Sequence, residues 1–363
     1  MKFSISRAKF VDGLKSVQNI VGSKVSIPVL QNVRLEANDQ VLRLTTTDLD
    51  ISINSTIECD VQEPGATTLP VKILFNMVSC AAEGLVEVEV DENEKASIRA
   101  GSAKYKLVGI PEFEFPKLPE DEGAYGYTLP QVVMKEMLRK TSYAASQDET
   151  RRSLRGVLMS FKNAKLTMVA TDGRRLALVE KEIDFPAEAT RDITLPTKAV
   201  QELQRSLGSE GDVIVRVQRS QICFTLGHVL IYSKLIDEMY PNYTQVIPVS
   251  CEQQIKVDRQ LLISAMERVN VMTSDIHSVK LRFSDNLLVV SSATTEVGEA
   301  KDEVPIKYGG NEIEIMFNPT YVIEALKAID DDEVVFNLNN GHSPAVIRCS
   351  IPFLYVIMPL RVN

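Results

Sequence analysis

A chain of 363 residues exceeds the usual size of one hydrophobic core, and a third of it, 121 residues, lies near the modal domain length. Its 44% hydrophobic and 25% charged residues, without a long low-complexity tract, exclude the disordered and collagenous classes. The net charge of −9 argues by itself against a polyanionic partner, because an acidic molecule is repelled by phosphate.

Met1-Lys-Phe-Ser-Ile-Ser6 alternates as a strand does and contains no apolar run of signal-peptide length. Nowhere do 18 consecutive apolar residues occur, so a cytoplasmic protein is expected. Ser6 is a candidate N-cap for a helix through Phe10, Leu14, Val17 and Val21. Similar starts recur at Gln131, with Val133 and Met137 on one face, and at Arg259, with Leu262, Ala265, Met266 and Val269. A second helix series begins at Leu69-Pro-Val-Lys72 (Ile73, Met77, Ala81), Leu195-Pro-Thr-Lys198 (Val200, Leu203, Leu207) and Phe317-Asn-Pro-Thr320 (Val322, Ala325, Leu326, Ile329). Proline stands before or within the first turn each time, where its missing N–H costs nothing.

Between the helices the period switches to two, as in Val86–Val90, Asp212–Val217 and Glu333–Leu338, with hairpin-length turns at 91–94, 219–221 and 339–341. Antiparallel meanders follow. A strand–acidic corner–strand signature also recurs: Val41–Ile53 around Asp48, Lys165–Leu178 around Asp172, and Asn286–Gly298 around Thr295, spaced 124 and 123 residues apart. Strand, helix and hairpins occur twice in each third, so each third is read as a duplicated unit of roughly 60 residues. Pro-, Gly- and acid-rich punctuation at 111–126 and at 240–248 predicts three domains, 1–124, 125–250 and 251–363, of α+β class.

Charge is uneven along the chain. The six candidate helical segments sum to +5, leaving −14 elsewhere. A basic helical layer on an acidic body and ordinary solvated helix faces both account for this. The five cysteines (Cys59, Cys80, Cys223, Cys251, Cys349) lack CxxC spacing and read as buried small hydrophobes. His228, His277 and His342 have no metal-like spacing, and phosphate-loop, zincin and nucleophile-elbow motifs are absent. No cofactor, metal or catalysis is expected. Asp48, Asp50 and Asp172, with the run Asp330–Glu333, could in principle supply a two-metal nuclease, but Asp at a tight corner more often bonds its own backbone. A three-domain peptide-binding adaptor that never encircles DNA is the other rival.

Taken together, Ala170-Thr-Asp-Gly-Arg-Arg-Leu-Ala177, Leu195-Pro-Thr-Lys198, Tyr240-Pro-Asn-Tyr243, Glu63-Pro-Gly-Ala-Thr-Thr68 and Met358-Pro-Leu-Arg361 resemble the bacterial DNA polymerase sliding clamp family, the beta subunit of DNA polymerase III. The resemblance spans the whole chain. It implies three clamp domains, each with two helices on one side of antiparallel sheets, and a head-to-tail homodimer of six domains around duplex DNA. The seam would join the first domain of one chain to the third of the other. Such a ring is a processivity factor, put on DNA by an ATP-dependent clamp loader, and holds polymerase and other replication and repair proteins through short peptides. Spheres of domain size, roughly 35 Å across, leave a hole of ~5 Å when three touch in a ring and ~35 Å when six do, against a duplex roughly 20 Å wide. One chain is too small to encircle DNA, whereas two suffice.

By position in the family pattern, Lys24, Lys72, Gln147, Arg151, Arg152 and Lys198 are the expected DNA-side residues. The resemblance also implies an apolar peptide cleft. Its second-domain wall is Leu154, Thr171, Gly173, Arg174, Arg175, Leu176, Pro241 and Val246. Its third-domain wall is Ile276, Asn318, Tyr321, Val346, Met358, Pro359, Leu360 and Arg361. Arg174 replaces a histidine common in the family and Ile276 an aromatic at the rim, and one extra residue near 148–150 bears on the placement of Gln147.

Overall fold

The computed structural model describes residues 1–22, 26–117, 125–186, 189–272, 278–294, 298–350 and 352–360. One order of elements repeats six times: a strand, an α-helix, then three strands in a meander. The first third holds β1 (Lys2–Ser6), α1 (Arg7–Val17), β2 (Asn32–Asn38), β3 (Val41–Thr47) and β4 (Ile51–Glu58), with a short added β5 (Asp60–Glu63). Its second half is β6 (Gly65–Pro70), α2 (Val71–Cys80), β7 (Leu85–Val90), β8 (Lys95–Ala100) and β9 (Ala103–Val108). The middle third begins with β10 (Tyr125–Pro130), α3 (Gln131–Thr141), β11 (Gly156–Lys162), β12 (Lys165–Thr171) and β13 (Arg175–Glu182). It continues through β14 (Arg191–Pro196), α4 (Thr197–Ser206), β15 (Asp212–Val217), β16 (Gln221–Leu226) and β17 (Val229–Lys234). The last third runs β18 (Gln253–Asp258), α5 (Arg259–Asn270), β19 (Val279–Ser284), β20 (Leu287–Thr294) and β21 (Gly298–Pro305). It closes with β22 (Ile313–Phe317), α6 (Pro319–Ala328), β23 (Glu333–Leu338), β24 (Ala345–Arg348) and β25 (Phe353–Ile357). The expected meanders and internal duplication are therefore present, and the fold is α+β.

The chain divides into two compact units, Met1–Met134 with Gln201–Leu235 and Lys135–Val200 with Ile236–Asn363. The first unit contains a five-stranded sheet, β5-β1-β7-β8-β9, and an eight-stranded sheet, β10-β15-β16-β17-β4-β3-β2-β6. The second contains an eight-stranded sheet, β14-β11-β12-β13-β25-β24-β23-β18, and a four-stranded one, β21-β20-β19-β22. Each long sheet crosses from one third of the chain to another. In the first unit β17 pairs antiparallel with β4, placing Ile231 opposite Ile53. In the second β13 pairs antiparallel with β25, placing Leu176 opposite Val356. Main-chain ladders thus join neighbouring thirds, which satisfies edges that would otherwise be left open.

Helix α1 packs on β3 and β4 through buried Phe10, Leu14 and Val17, each contributing about 1.5–3 kcal/mol relative to exposure. A Cβ on Gly13 would lie 2.3 Å from Ile57 Cδ1 and 3.0 Å from Leu44 Cδ1, so only glycine permits this approach as packed. Ser6 caps the helix as expected, its side chain accepting from Lys9 N, but the helix stops at Val17 and a 3₁₀ turn, Gln18–Ile20, follows. The stripes on α4, α5 and α6 fall where their spacing placed them: Val200, Leu203 and Leu207, then Leu262, Ala265, Met266 and Val269, then Val322, Ala325, Leu326 and Ile329 are all buried. Two helices differ. On α2 the buried face is Val71, Leu74 and Val78, and Ile73 is half exposed. On α3 it is Met134, Met137 and Leu138, with Val133 only partly covered. Both helices are apolar on more than one side, so i, i+4 spacing fits two faces and only the tertiary packing distinguishes them.

Candidate functional site

The corner between β12 and β13 is built by its own residues. Asp172 Oδ1 accepts from the backbone N–H of Arg174 at 2.9 Å and of Arg175 at 3.0 Å. Thr171 Oγ1 donates to the Arg175 carbonyl at 2.6 Å and accepts from Gly173 N at 3.1 Å. The corner between β3 and β4 repeats each bond. Asp48 Oδ1 accepts from Asp50 N and Ile51 N, and Thr47 Oγ1 donates to the Ile51 carbonyl and accepts from Leu49 N. Both aspartates are turn formers, as expected of Asp at such a position. Gly173 has φ +84° and its counterpart Leu49 φ +79°, both in the left-handed region. A Cβ at Gly173 would also meet Arg151 Nη1 at 3.1 Å. Gly173→Ala is expected to lower stability by about 1–2 kcal/mol, read as an earlier urea midpoint at unchanged slope.

Beyond the turn the two corners diverge. Arg175 occupies the position of buried Ile51 and is itself only 9% exposed. Its Nε donates to Asp172 Oδ2 at 3.1 Å, its Nη1 to Glu324 of α6, and its Nη2 to the Tyr143 carbonyl at 2.6 Å. The guanidinium lies 4.2 Å from the centroid of the Tyr321 ring and 5.5 Å from that of Tyr143. Burial opposes its charge, but Tyr355, Glu324 and Asp172 outweigh that and raise its pKa. Burial likewise pushes the Tyr143 hydroxyl well above the ordinary phenol range.

On the other side of the corner lies an apolar cluster of Leu158, Val169, Leu176, Val346, Leu354 and Val356. Leu178, Tyr240, Tyr243, Ile247 and Cys251 pack against it. The expected residues Leu176 and Val346 are both buried within this cluster. Pro241 and Val246 are exposed on the loop that follows β17, where Asn242 caps the 3₁₀ turn Tyr243–Val246. Met358, 42% exposed, donates its N–H to the Arg174 carbonyl at 2.9 Å, so the C-terminal segment is fastened to the corner. Leu360 N bonds the Met316 carbonyl at 2.8 Å, and Pro359 and Leu360 are half-buried. Leu154 is half-buried in the turn Arg152–Leu154. Asn318 caps α6, its side chain accepting from Thr320 N, and Tyr321 stands one turn further on. Sequence reasoning missed Tyr240, Tyr243 and Ile247 as packing groups, although Tyr240-Pro-Asn-Tyr243 had marked the linker. It also missed Tyr143 and Glu324, for which no local signal exists.

Among the expected DNA-side residues, Lys72, Gln147, Arg151, Arg152 and Lys198 are all exposed. Lys24, Ile276 and Arg361 lie outside the described residues. Gln147 and Arg151 line a cavity of about 450 Å³ together with Arg174, Arg175, Tyr321 and Glu324. Two residues expected on the DNA side thus share a wall with the expected peptide cleft. Arg151 Nη1 bonds the Asp172 carbonyl at 3.1 Å, and Thr150 bonds hold the Asp148 carboxyl below its usual range. The charge counted on α3 is not all surface charge. Lys140 is 1% exposed and paired to Glu136, and Arg139 bonds Asp330 at 2.5 Å.

Among the described residues, no group of three or more His, Cys, Asp or Glu side chains could hold a metal ion. The acidic run is also occupied otherwise: Asp330 pairs with Arg139 and Asp331 accepts from Ser350 N at 2.7 Å. No helix of the described residues is long and apolar enough to cross a membrane.

Three family models cover the chain in order: the N-terminal domain of the DNA polymerase III beta subunit over residues 1–119, its central domain over 128–242 and its C-terminal domain over 244–361. The chain belongs to the bacterial beta sliding clamp family. It is 34% identical to the beta sliding clamp of Chlamydia muridarum over the full length of both chains. With that of Escherichia coli K12 it shares 30% identity over 99% of this chain and 100% of the relative. Its fold matches the sliding clamp of Bartonella birtlesii, solved bound to griselimycin, with TM-score 0.96, 32% identity and full coverage of both chains. This beta sliding clamp is a three-domain, non-catalytic subunit and the processivity factor of DNA polymerase III, so DNA and the polymerase are its partners.

Proposed function

We propose that the clamp works as a closed homodimeric ring that encircles duplex DNA without reading its sequence. The observation carrying this is a pattern of strand edges. The last strand of a first half-unit pairs with the last strand of a second half-unit twice within the chain, as β4 with β17 and β13 with β25. Among the described residues, the two remaining strands of that kind, β9 and β21, pair only with β8 and β20. The same rule joins β21 of one chain to β9 of a second. Their charges are complementary: β9 carries Lys104 and Lys106, and β21 carries Glu299, Asp302 and Glu303 against Lys301. Two such seams close a ring of six domains, with domain boundaries at 124/125 and 250/251.

In this reading Lys24, Lys72, Gln147, Arg151, Arg152 and Lys198 face the DNA. Few, salt-sensitive phosphate contacts suit a ring that must slide. An ATP-dependent loader opens the seam in the cytoplasm. Polymerase, loader and other replication and repair proteins dock short peptides into the apolar cleft beside the β12–β13 corner, where apolar anchors give affinity. Tethering keeps the polymerase at high effective concentration at the primer end. The loaded clamp is expected to stay on a nicked circle and to leave once the circle is linearised. Equal retention on both would point to an adaptor that never encircles DNA, and Mg²⁺-dependent nuclease activity lost in Asp172→Asn would overturn the non-enzymatic reading.

A further inference from the structure

We propose that Arg175 is a positioning residue of the partner cleft: it locks the Tyr321 ring and the α6 helix against the β12–β13 corner and is not itself a contact for the incoming peptide. The inference deepens the cleft assignment above and rests on it. Arg175 is held from three directions, by Asp172 on its own corner, Glu324 on α6 and the carbonyl of Tyr143 after α3. Three of its five N–H donors are taken by these bonds, and at 9% exposure the rest have little access to a ligand. What it does offer is a flat face. Tyr321 lies over it at 4.2 Å, and the Tyr321 carbonyl in turn accepts from Tyr355 Oη at 2.9 Å. The ring is therefore fixed in plane by the guanidinium and in position by the helix backbone, leaving an ordered aromatic wall beside the cavity it shares with Arg174 and Gln147.

The duplicated corner supplies an internal control. Its aspartate, threonine and main-chain bonds are reproduced one for one, yet Ile51, 2% exposed, fills the place of Arg175. The corner as a fold element is satisfied by a buried aliphatic side chain. A buried guanidinium there costs desolvation, offset only because Glu324, Asp172 and two tyrosines surround it. The partner Glu324 sits one turn beyond Tyr321 and two beyond Asn318, the N-cap of the same helix, so the arginine ties the corner to the helix that carries the expected third-domain contacts.

The test measures affinity of the intact clamp for its cognate polymerase catalytic subunit by surface plasmon resonance, with the thermal midpoint followed in parallel. Arg175→Lys keeps the charge but not the planar fork, and about tenfold weaker binding is expected. Glu324→Gln, which removes the charge that ties Arg175 to α6, is expected to weaken binding about fivefold. The double variant should be no more than about twofold worse than Arg175→Lys alone, because both changes release the same tie. In a Tyr321→Leu background Arg175→Lys should have no further effect, an outcome a general loss of stability would not produce. Additive losses, or a silent Glu324→Gln beside a weakened Arg175→Lys, would show that Arg175 touches the partner and would overturn the proposal. Met358→Ala serves as the reference for the cleft itself. If that variant bound as tightly as the parent, the cleft assignment would fall first and the proposal with it. Should Arg175→Lys not fold, the Glu324→Gln and Tyr321→Leu pair carries the same comparison.

Discussion

Removal of residues 358–363 is expected to abolish stimulation of the polymerase and to leave the proposed dimer intact. Strand β25 ends at Ile357, all five of its residues are buried, and it is paired on both sides by β13 and β24. A stop after Ile357 keeps that ladder whole. Two of the bonds fastening the C-terminal segment are those of Met358 N to Arg174 and Leu360 N to Met316, and losing both costs about 1–3 kcal/mol of local stability. The partner loses contacts as well. Met358, 42% exposed, and half-buried Leu360 are apolar groups left partly open to solvent, and covering what remains exposed contributes about 1–2 kcal/mol for the two together. That is a loss of roughly five- to thirtyfold in affinity. Primer extension on a singly primed circle reads the stimulation, and solution mass reads the dimer. Normal extension by the truncated clamp would rule out the cleft.

Reversing the charge of β9 is expected to open the proposed ring. Lys104→Glu with Lys106→Glu sets an acidic strand against the acidic β21 of a second chain, where cross-strand like charges destabilise. Each exposed pair contributes little, about 0.5 kcal/mol, but two attractions become two repulsions at each of the two seams, and a weakening of the dimer by about 4 kcal/mol, roughly a thousandfold, follows. The sign with salt is diagnostic. Added salt should weaken the parent dimer slightly and strengthen the variant, since screening reduces attraction and repulsion alike. Mixing the variant with Glu299→Lys, Glu303→Lys clamp should restore both seams, one with its charges exchanged and one between parental strands. Sedimentation at micromolar concentration over a salt series decides it, and a variant that stays dimeric throughout places the seam elsewhere.

The repeat, the strand and helix order and the two aspartate corners were readable along the chain because each depends on neighbours a few residues apart. Asp48 and Asp172 bond amides two and three positions on, and the hairpins close over turns of a few residues. Helices with one apolar side, such as α5 and α6, announced their buried faces. Those with several, α2 and α3, did not, since more than one face fits their apolar spacing. The resemblance to a known family brought Thr171, Leu176 and Val346 into one site, a grouping that periodicity alone does not reach. Only the tertiary structure showed that Arg175 is locked to Glu324, 149 residues away, while its repeat counterpart Ile51 is plain core. It alone left β9 and β21 as edges. Local turn and helix geometry is specified by short-range sterics and hydrogen bonds, whereas which strand lies beside which, and which charge meets which, depends on chain segments brought together from far apart.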